Sequence, residues 1–222
     1  MSTVLVTGFG PYGNTPTNPA EAVAEGLDGT TLDGAQVVGR VVPCVFFEAI
    51  KAAVAAIEEV GPEIVVMMGE FGGRAMLTVE RIAQNLNDAS RYGLADNEGK
   101  APVDEPIVPG GPAARYATLP IRAMVKAMRA AGFPADISDA PGTLVCNHLM
   151  YGVLHHIAER ELPIRAGWIH LPALPSVAAL ESNLGMPSMT VETSLAGVQV
   201  GIRAALAHPE DIREPIRSVW QI

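Results

Sequence analysis

The sequence predicts an α/β protein of three layers, with helices on both faces of a central sheet. Three observations predict it. Short β-branched runs alternate along the chain with segments of helical periodicity. Hydrophobic residues make up 49% of the sequence against 18% charged, enough apolar material to cover a sheet on both faces. The length, 222 residues, suits one α/β domain, and residues 1–222 are read as such.

In chain order, "TVLVTG" (residues 3–8) is a buried strand, and Asn18 and Pro19 open a helix over "AEAVAEGL" as cap and first-turn residue. "AQVVGRVV" (35–42) is the next strand. In "FFEAIKAAVAAIEEVG", Phe47, Ile50, Val54 and Ile57 recur at helical spacing and Gly61 supplies a stop, so this segment is an amphipathic helix. "EIVVMM" (63–68) and "LTVERIAQN" (77–85) are strands. Residues 86–112 then form a polar, Gly- and Pro-rich excursion, longer than the ~12–15 residues at which a structureless connection becomes suspect, and hence a candidate lid or site wall. "LPIRAMVKAMRAAG" (119–132) is a helix, "ADIS" (135–138) a strand, "VCNHLMYGVLHHIAER" a helix after the sharp turn "DAPGT", and "IRAGWIH" a strand closing at His170.

The formal charge of −9 has no basic stripe within it, which excludes a nucleic-acid partner. No apolar run approaches the ~18 residues needed to span a bilayer, and residues 1–13 lack the basic start of a secretion signal. No membrane partner is expected, and the setting reads as cytoplasmic. Cys44 and Cys146 are too few for a disulfide scaffold, so both are expected as reduced thiols.

"GFGPYG" matches the spacing of a dinucleotide-binding loop at Gly8, Gly10 and Gly13, but its context does not. A phosphate cradle needs a helix to begin at once, whereas Pro11, Pro16 and Pro19 postpone it, and "VVPCVFF" has no acid to hold a ribose. No cofactor is expected. The stretch instead places Phe9 and Tyr12 at a strand's carboxyl end, the edge where open α/β sheets bind ligands.

Cys146 raises three possibilities: nucleophile, metal ligand or core filling. It falls in the first turn of a helix, where free N–H groups and the dipole favour a thiolate and can hold an oxyanion. His148 points to another side of that helix, and His155 and His156 lie ~14 Å up its axis, so none can take the thiol proton. No cysteine or acid sits at ligand spacing with them, so no metal site is expected. His208 sits at the end of a terminal helix. His170, ending a strand at the sheet edge expected for the Cys146 turn, is the base chosen. A third group should hold its tautomer, and Glu80 within "LTVERIA" is either that buried partner or a solvated edge residue. Cys44 reads as core.

At this point the residues resemble a family, the thiol-type pyroglutamyl peptidases, also called pyrrolidone-carboxylate peptidases. The likeness runs nearly end to end, through "VLVTGFGPYG", "GRVVPCVF", "VERIAQNLNDA", "DNEGK", "LVCNHLMYGVLHH" and "GWIHLPALP". It implies that Cys146 is the nucleophile, His170 the base and Glu80 the third member. It implies a central twisted sheet, mixed and mostly parallel, no metal or cofactor, and a homotetramer. The implied reaction hydrolyses the amide bond after an N-terminal pyroglutamyl residue through an acyl-thioester. A neutral lactam wants flat apolar walls with a few polar groups. The resemblance draws these from Phe9, Tyr12, Asn18, Gly69, Arg91, Leu144 and Val145.

The chain departs from the family pattern at Gly10, where an acid is usual, at Glu70, where glutamine or an apolar residue is common, and in a longer stretch around residues 90–94, on whose alignment the choice of Arg91 depends. An alternative reading follows from these departures: a catalytically weak or inactive homologue that binds a small lactam or a peptide N-terminus.

Overall fold

The computed structural model describes residues 2–13 and 15–219. Its elements are β1 (Thr3–Phe9), α1 (Pro19–Leu27), β2 (Thr31–Leu32), β3 (Ala35–Val42), α2 (Glu48–Val60), β4 (Ile64–Glu70), β5 (Leu77–Glu80), β6 (Ile82–Gln84), β7 (Ala114–Tyr116), α3 (Ile121–Ala130), β8 (Ala135–Ser138), α4 (Val145–Glu159), β9 (Arg165–Leu171), α5 (Pro175–Ala178) and α6 (Val191–Ala207). Seven strands form one sheet in the order β2-β3-β1-β4-β9-β5-β8. The inner strands β3, β1, β4 and β9 run parallel, while β5 is antiparallel to β9 and parallel to β8. The sheet is therefore mixed and mostly parallel, as expected.

Alternation along the strands sorts the core into two layers. Val4, Val6, Ile64, Val66, Ile169 and Leu171 face α1, α3 and α6. Leu5, Phe9, Val65, Met67 and Trp168 face α2 and α4. Burial on both sides explains why β1 and β4 read as continuous apolar runs.

Helix α1 starts where the sequence places it. Asn18 Oδ1 accepts from the Ala20 N–H at 3.0 Å and Pro19 fills the first turn. Gly8 before it has a packing cause, since a Cβ there would lie 2.0 Å from the Ala20 carbonyl oxygen, so α1 rests on bare strand backbone.

Two expectations are corrected. Phe47 does not join the buried face of α2. It is the N-cap, with φ of 67° and 44% exposure, and the buried stripe is Ala49, Ala53, Ala56 and Ile57, whose three alanines let the helix lie close on the sheet and α4. "LTVERIAQN" is not one strand. The chain leaves the main sheet at Arg81, whose N–H donates to the Ser138 carbonyl at 2.7 Å, and β6 pairs with β7 in a separate two-stranded sheet. Residues 86–112 are held in place by polar side chains. Buried Asp96 accepts from the backbone N–H groups of Phe46, Glu98 and Lys100, and Asn85 clamps both the N–H and the carbonyl of Val108. Side-chain acceptors there do the work of a ladder, which hydrophobic periodicity cannot reveal.

Candidate active site

His170 is the penultimate residue of β9 and shares its face with Trp168. In the antiparallel pair, Thr78 of β5 stands opposite His170 and Glu80 opposite Trp168. Leu77 and Val79 turn to the other core layer, so Thr78 and Glu80 come to the face of His170. The diagonal reach is short: Glu80 Oε1 lies 2.7 Å from His170 Nδ1, with both side chains fully buried. Glu80 is thus the buried partner, not the solvated edge residue.

Cys146 reaches this place by a different route from the one expected. Strand β8 runs against β9, so its end is not the carboxyl edge where His170 sits. Residues 139–144 carry the chain back instead, and α4 begins beside the end of β4. A Cβ at Gly69 would lie 2.9 Å from Cys146 Sγ and 2.7 Å from the Trp168 ring, and Gly69 pairs with His170 in the sheet. Glycine at this position makes room for the sulfur.

A cavity of about 340 Å³ opens here, lined by Cys146 and His170 together with Phe9, Tyr12, Asn18, Leu144 and Val145. Two other named residues are placed elsewhere. Gly69 lies behind the wall, and Arg91 is exposed in the turn Ser90–Tyr92, its guanidinium 4.9 Å from the Tyr92 ring centroid. From that stretch Tyr92 and Leu94 line the cavity. Asn18 is largely spent on the backbone, since it caps α1 and its Nδ2 donates to the Gly10 carbonyl at 3.0 Å.

The electrostatics correct one expectation. The start of α4 suggested a thiolate, yet Cys146 is held well above the ordinary thiol range, first by burial and then by Cys44, Glu80 and Glu70, with Arg74 opposing. Desolvation and nearby negative groups outweigh the helix terminus. Burial also pushes His170 below its usual value against the pull of Glu80. Burial would raise Glu80, but the hydrogen bond and charge of His170, followed by Arg74, hold it below the ordinary carboxylate range. The resting site is therefore a neutral thiol, a neutral imidazole donating from Nδ1, and a carboxylate. His170 Nε2 is buried and finds no hydrogen-bond partner among the described residues, which leaves it free to accept a proton.

Several site residues escaped the sequence reading. Arg74 Nη1 donates to Glu80 Oε1 at 2.6 Å. Phe71 sets its ring edge-on to His170, with centroids 5.1 Å apart. Glu70, noted only as a departure, lines the cavity, accepts from the Tyr12 hydroxyl at 3.1 Å, and is raised by burial against that bond. Nothing in the spacing of "GEFGGR" signals that its arginine folds back onto a carboxylate of the next strand. Among the described residues no group of three or more His, Cys, Asp or Glu side chains is arranged to hold a metal.

The chain as a whole is similar to known proteins. A family model described as pyroglutamyl peptidase matches residues 2–208. The pyrrolidone-carboxylate peptidase of Mycobacterium tuberculosis is 64% identical over 222 residues, covering all of both chains. The crystal structure of pyroglutamyl peptidase I from Bacillus amyloliquefaciens superposes with a TM-score of 0.90 at 37% identity, covering 96% of this chain and 100% of that one. Pyrrolidone carboxyl peptidase from Pyrococcus furiosus gives a TM-score of 0.88 at 42% identity over 93% of this chain and 99% of its own. With the family model spanning nearly the whole sequence and relatives at this identity, the chain belongs to the pyroglutamyl peptidase family.

Proposed function

We propose that in this cysteine-type peptidase Cys146, His170 and Glu80 perform the hydrolysis of the amide bond after an N-terminal pyroglutamyl residue. The observation that carries the assignment is the hydrogen bond of Glu80 to His170 Nδ1 within a cavity that also exposes Cys146, because it directs the basic Nε2 of the ring to the site. Substrate entry brings a carbonyl carbon to Cys146 Sγ. The thiol proton passes to His170 Nε2 as the carbon–sulfur bond forms. The N-terminus of α4 begins at Leu144, which has no side-chain acceptor to occupy the first backbone N–H groups, so they remain to hold the oxyanion. Collapse of the tetrahedral adduct breaks the carbon–nitrogen bond, and Nε2 returns its proton to the departing amine. Water, deprotonated at Nε2, then cleaves the thioester and restores the thiol.

Recognition follows from the walls. Phe9, Tyr12, Leu144 and Val145 offer apolar surface to a flat lactam, and the Glu70 carboxyl, half of it unpaired among the described residues, offers the polar contact. Asn18 supplies the second hydrogen of its Nδ2. A homotetramer and a cytoplasmic setting rest on the family resemblance, and solution sizing tests the former. Among the described residues no helix is long and apolar enough to cross a membrane.

The test is a pyroglutamyl fluorogenic amide, with and without reductant. Cleavage is expected to require reduced thiol and to vanish in Cys146→Ser and His170→Ala. Glu80→Gln should lower kcat by about 10³–10⁴-fold through the wrong tautomer. Lactam binding without turnover by the reduced protein would select the inactive-homologue reading instead.

A further inference from the structure

Arg74 is nearly buried, its side chain 9% exposed, yet it does not line the cavity. Its guanidinium bonds β5, which bears Glu80, and the connection that leads to Cys146, and it packs on the ring beside His170. Nη1 donates to Glu80 Oε1 at 2.6 Å, the same oxygen that meets His170 Nδ1, and to Thr78 Oγ1, opposite His170 in the sheet. Nη2 donates at 2.8 Å to the carbonyl of Ala140, within the connection that carries the chain from β8 to Cys146. Its Cζ lies 3.8 Å from the centroid of Phe71, the ring packed edge-on to His170. A lone ion pair with Glu80 would neutralise a buried cation without the turn or the ring. Spreading one rigid fork over three segments fixes them relative to one another.

We propose that Arg74 is a positioning residue for the reaction: it locks the acid that orients His170 and the turn that delivers Cys146 into one frame, and its charge moderates the hold of Glu80 on the His170 proton. The inference rests on the peptidase reading above.

The charge effect has a definite sign. The titratable groups that line the cavity with His170, beside Glu80 from β5, are Glu70 from β4, Cys146 from α4, and Tyr12, Cys44, Tyr92 and Asp96 across it, all of them neutral or negative. Arg74 is the cation that acts on Glu80, Cys146 and His170 alike. Without it the imidazolium formed after attack would face an uncompensated carboxylate, and the proton would be returned less readily to the leaving amine. For the same reason the free enzyme would protonate His170 at a higher pH. Because the resting pair is neutral, the acid limb of kcat/KM reports that protonation.

The experiment measures pH profiles of kcat and kcat/KM on the pyroglutamyl amide for the full chain, Arg74→Gln and Arg74→Lys, with thermal melts to establish folding. Arg74→Gln is expected to lose about 10²-fold in kcat, to keep KM within a few-fold, and to move the acid limb to higher pH. Arg74→Lys keeps the charge but cannot bond Glu80 and Ala140 together, so a loss of roughly tenfold in kcat with an acid limb near that of the parent is expected. Should Arg74→Gln not fold, Arg74→Lys still discriminates, since unchanged kcat there would overturn the positioning role. Equal losses in both variants with an unmoved acid limb would also overturn it, leaving a packing residue. A parent protein without thiol-dependent cleavage would overturn both readings, whereas an active parent with unaltered Arg74 variants overturns this one alone.

Discussion

Glu70 shows how a cavity wall sets the state of a single carboxyl. Burial raises it, only Tyr12 donates to it among the described residues, and a carboxylate there would repel the thiolate forming at Cys146. A neutral acid and an amide have the same shape and offer the same donor and acceptor. Glu70→Gln is therefore expected to keep kcat/KM within a few-fold below the pH at which Glu70 ionises and to remove any loss of activity that accompanies that ionisation. A profile that declines identically in both proteins would show that Glu70 is not the group responsible. Gly69 makes the complementary point about volume. A methyl group there would press on Cys146 Sγ and the buried Trp168 ring, so Gly69→Ala should lower the melting temperature and also lower kcat by at least about tenfold in the folded protein, because a nucleophile displaced by part of an ångström loses its approach.

At the scale of elements, the reversed direction of β5 is what makes the site. A parallel β5 would not set Thr78 directly across from His170, with Glu80 one diagonal step away. The sequence reading found the residues of "LTVE" but had no means to orient the strand, since an apolar run reads the same in either direction. The reading of β5 and β6 as one strand fails for a related reason: β6 takes its partner from β7, distant in sequence, and not from the main sheet. Helix α1 was legible because its signals are local, the Asn18 cap and Pro19. Its seat on β1 is not local. Gly8→Ala should push α1 off the sheet at a cost of about 3 kcal/mol, read as a lower urea midpoint at unchanged slope. An unshifted midpoint would mean that α1 does not rest there.

Across the whole molecule, a second buried histidine links stability to pH. His148 accepts from the Phe47 N–H at 2.7 Å through Nε2 and meets Asn87 Oδ1 at 3.0 Å through Nδ1, so a neutral ring ties α4 to the start of α2 and to the long connection. Burial, against the pull of Asp96, lowers it to about 4 from 6.5. Between those values the unfolded chain holds the extra proton, so stability present above pH 6.5 is lost as pH falls towards 4, by roughly 3 kcal/mol. Urea midpoints at pH 7 and pH 4.5 should fall further for the parent than for His148→Gln, and an equal fall in both would remove His148 as the cause. The sequence shows only that this histidine cannot serve Cys146, because the acceptor and the donor that employ it arrive from positions 61 and 101 residues away. What the sequence determined by itself was local or compositional: the alternation of strand and helix, the caps, the pairing of Cys146 with a helix start, and a residue pattern specific enough to name Cys146, His170 and Glu80. Tertiary structure alone decided the strand directions, the cavity that keeps the thiol protonated, the exclusion of Arg91 from its wall, and the convergence of Arg74 on the acid. Burial and charge act through space, and only the folded chain defines which groups share it.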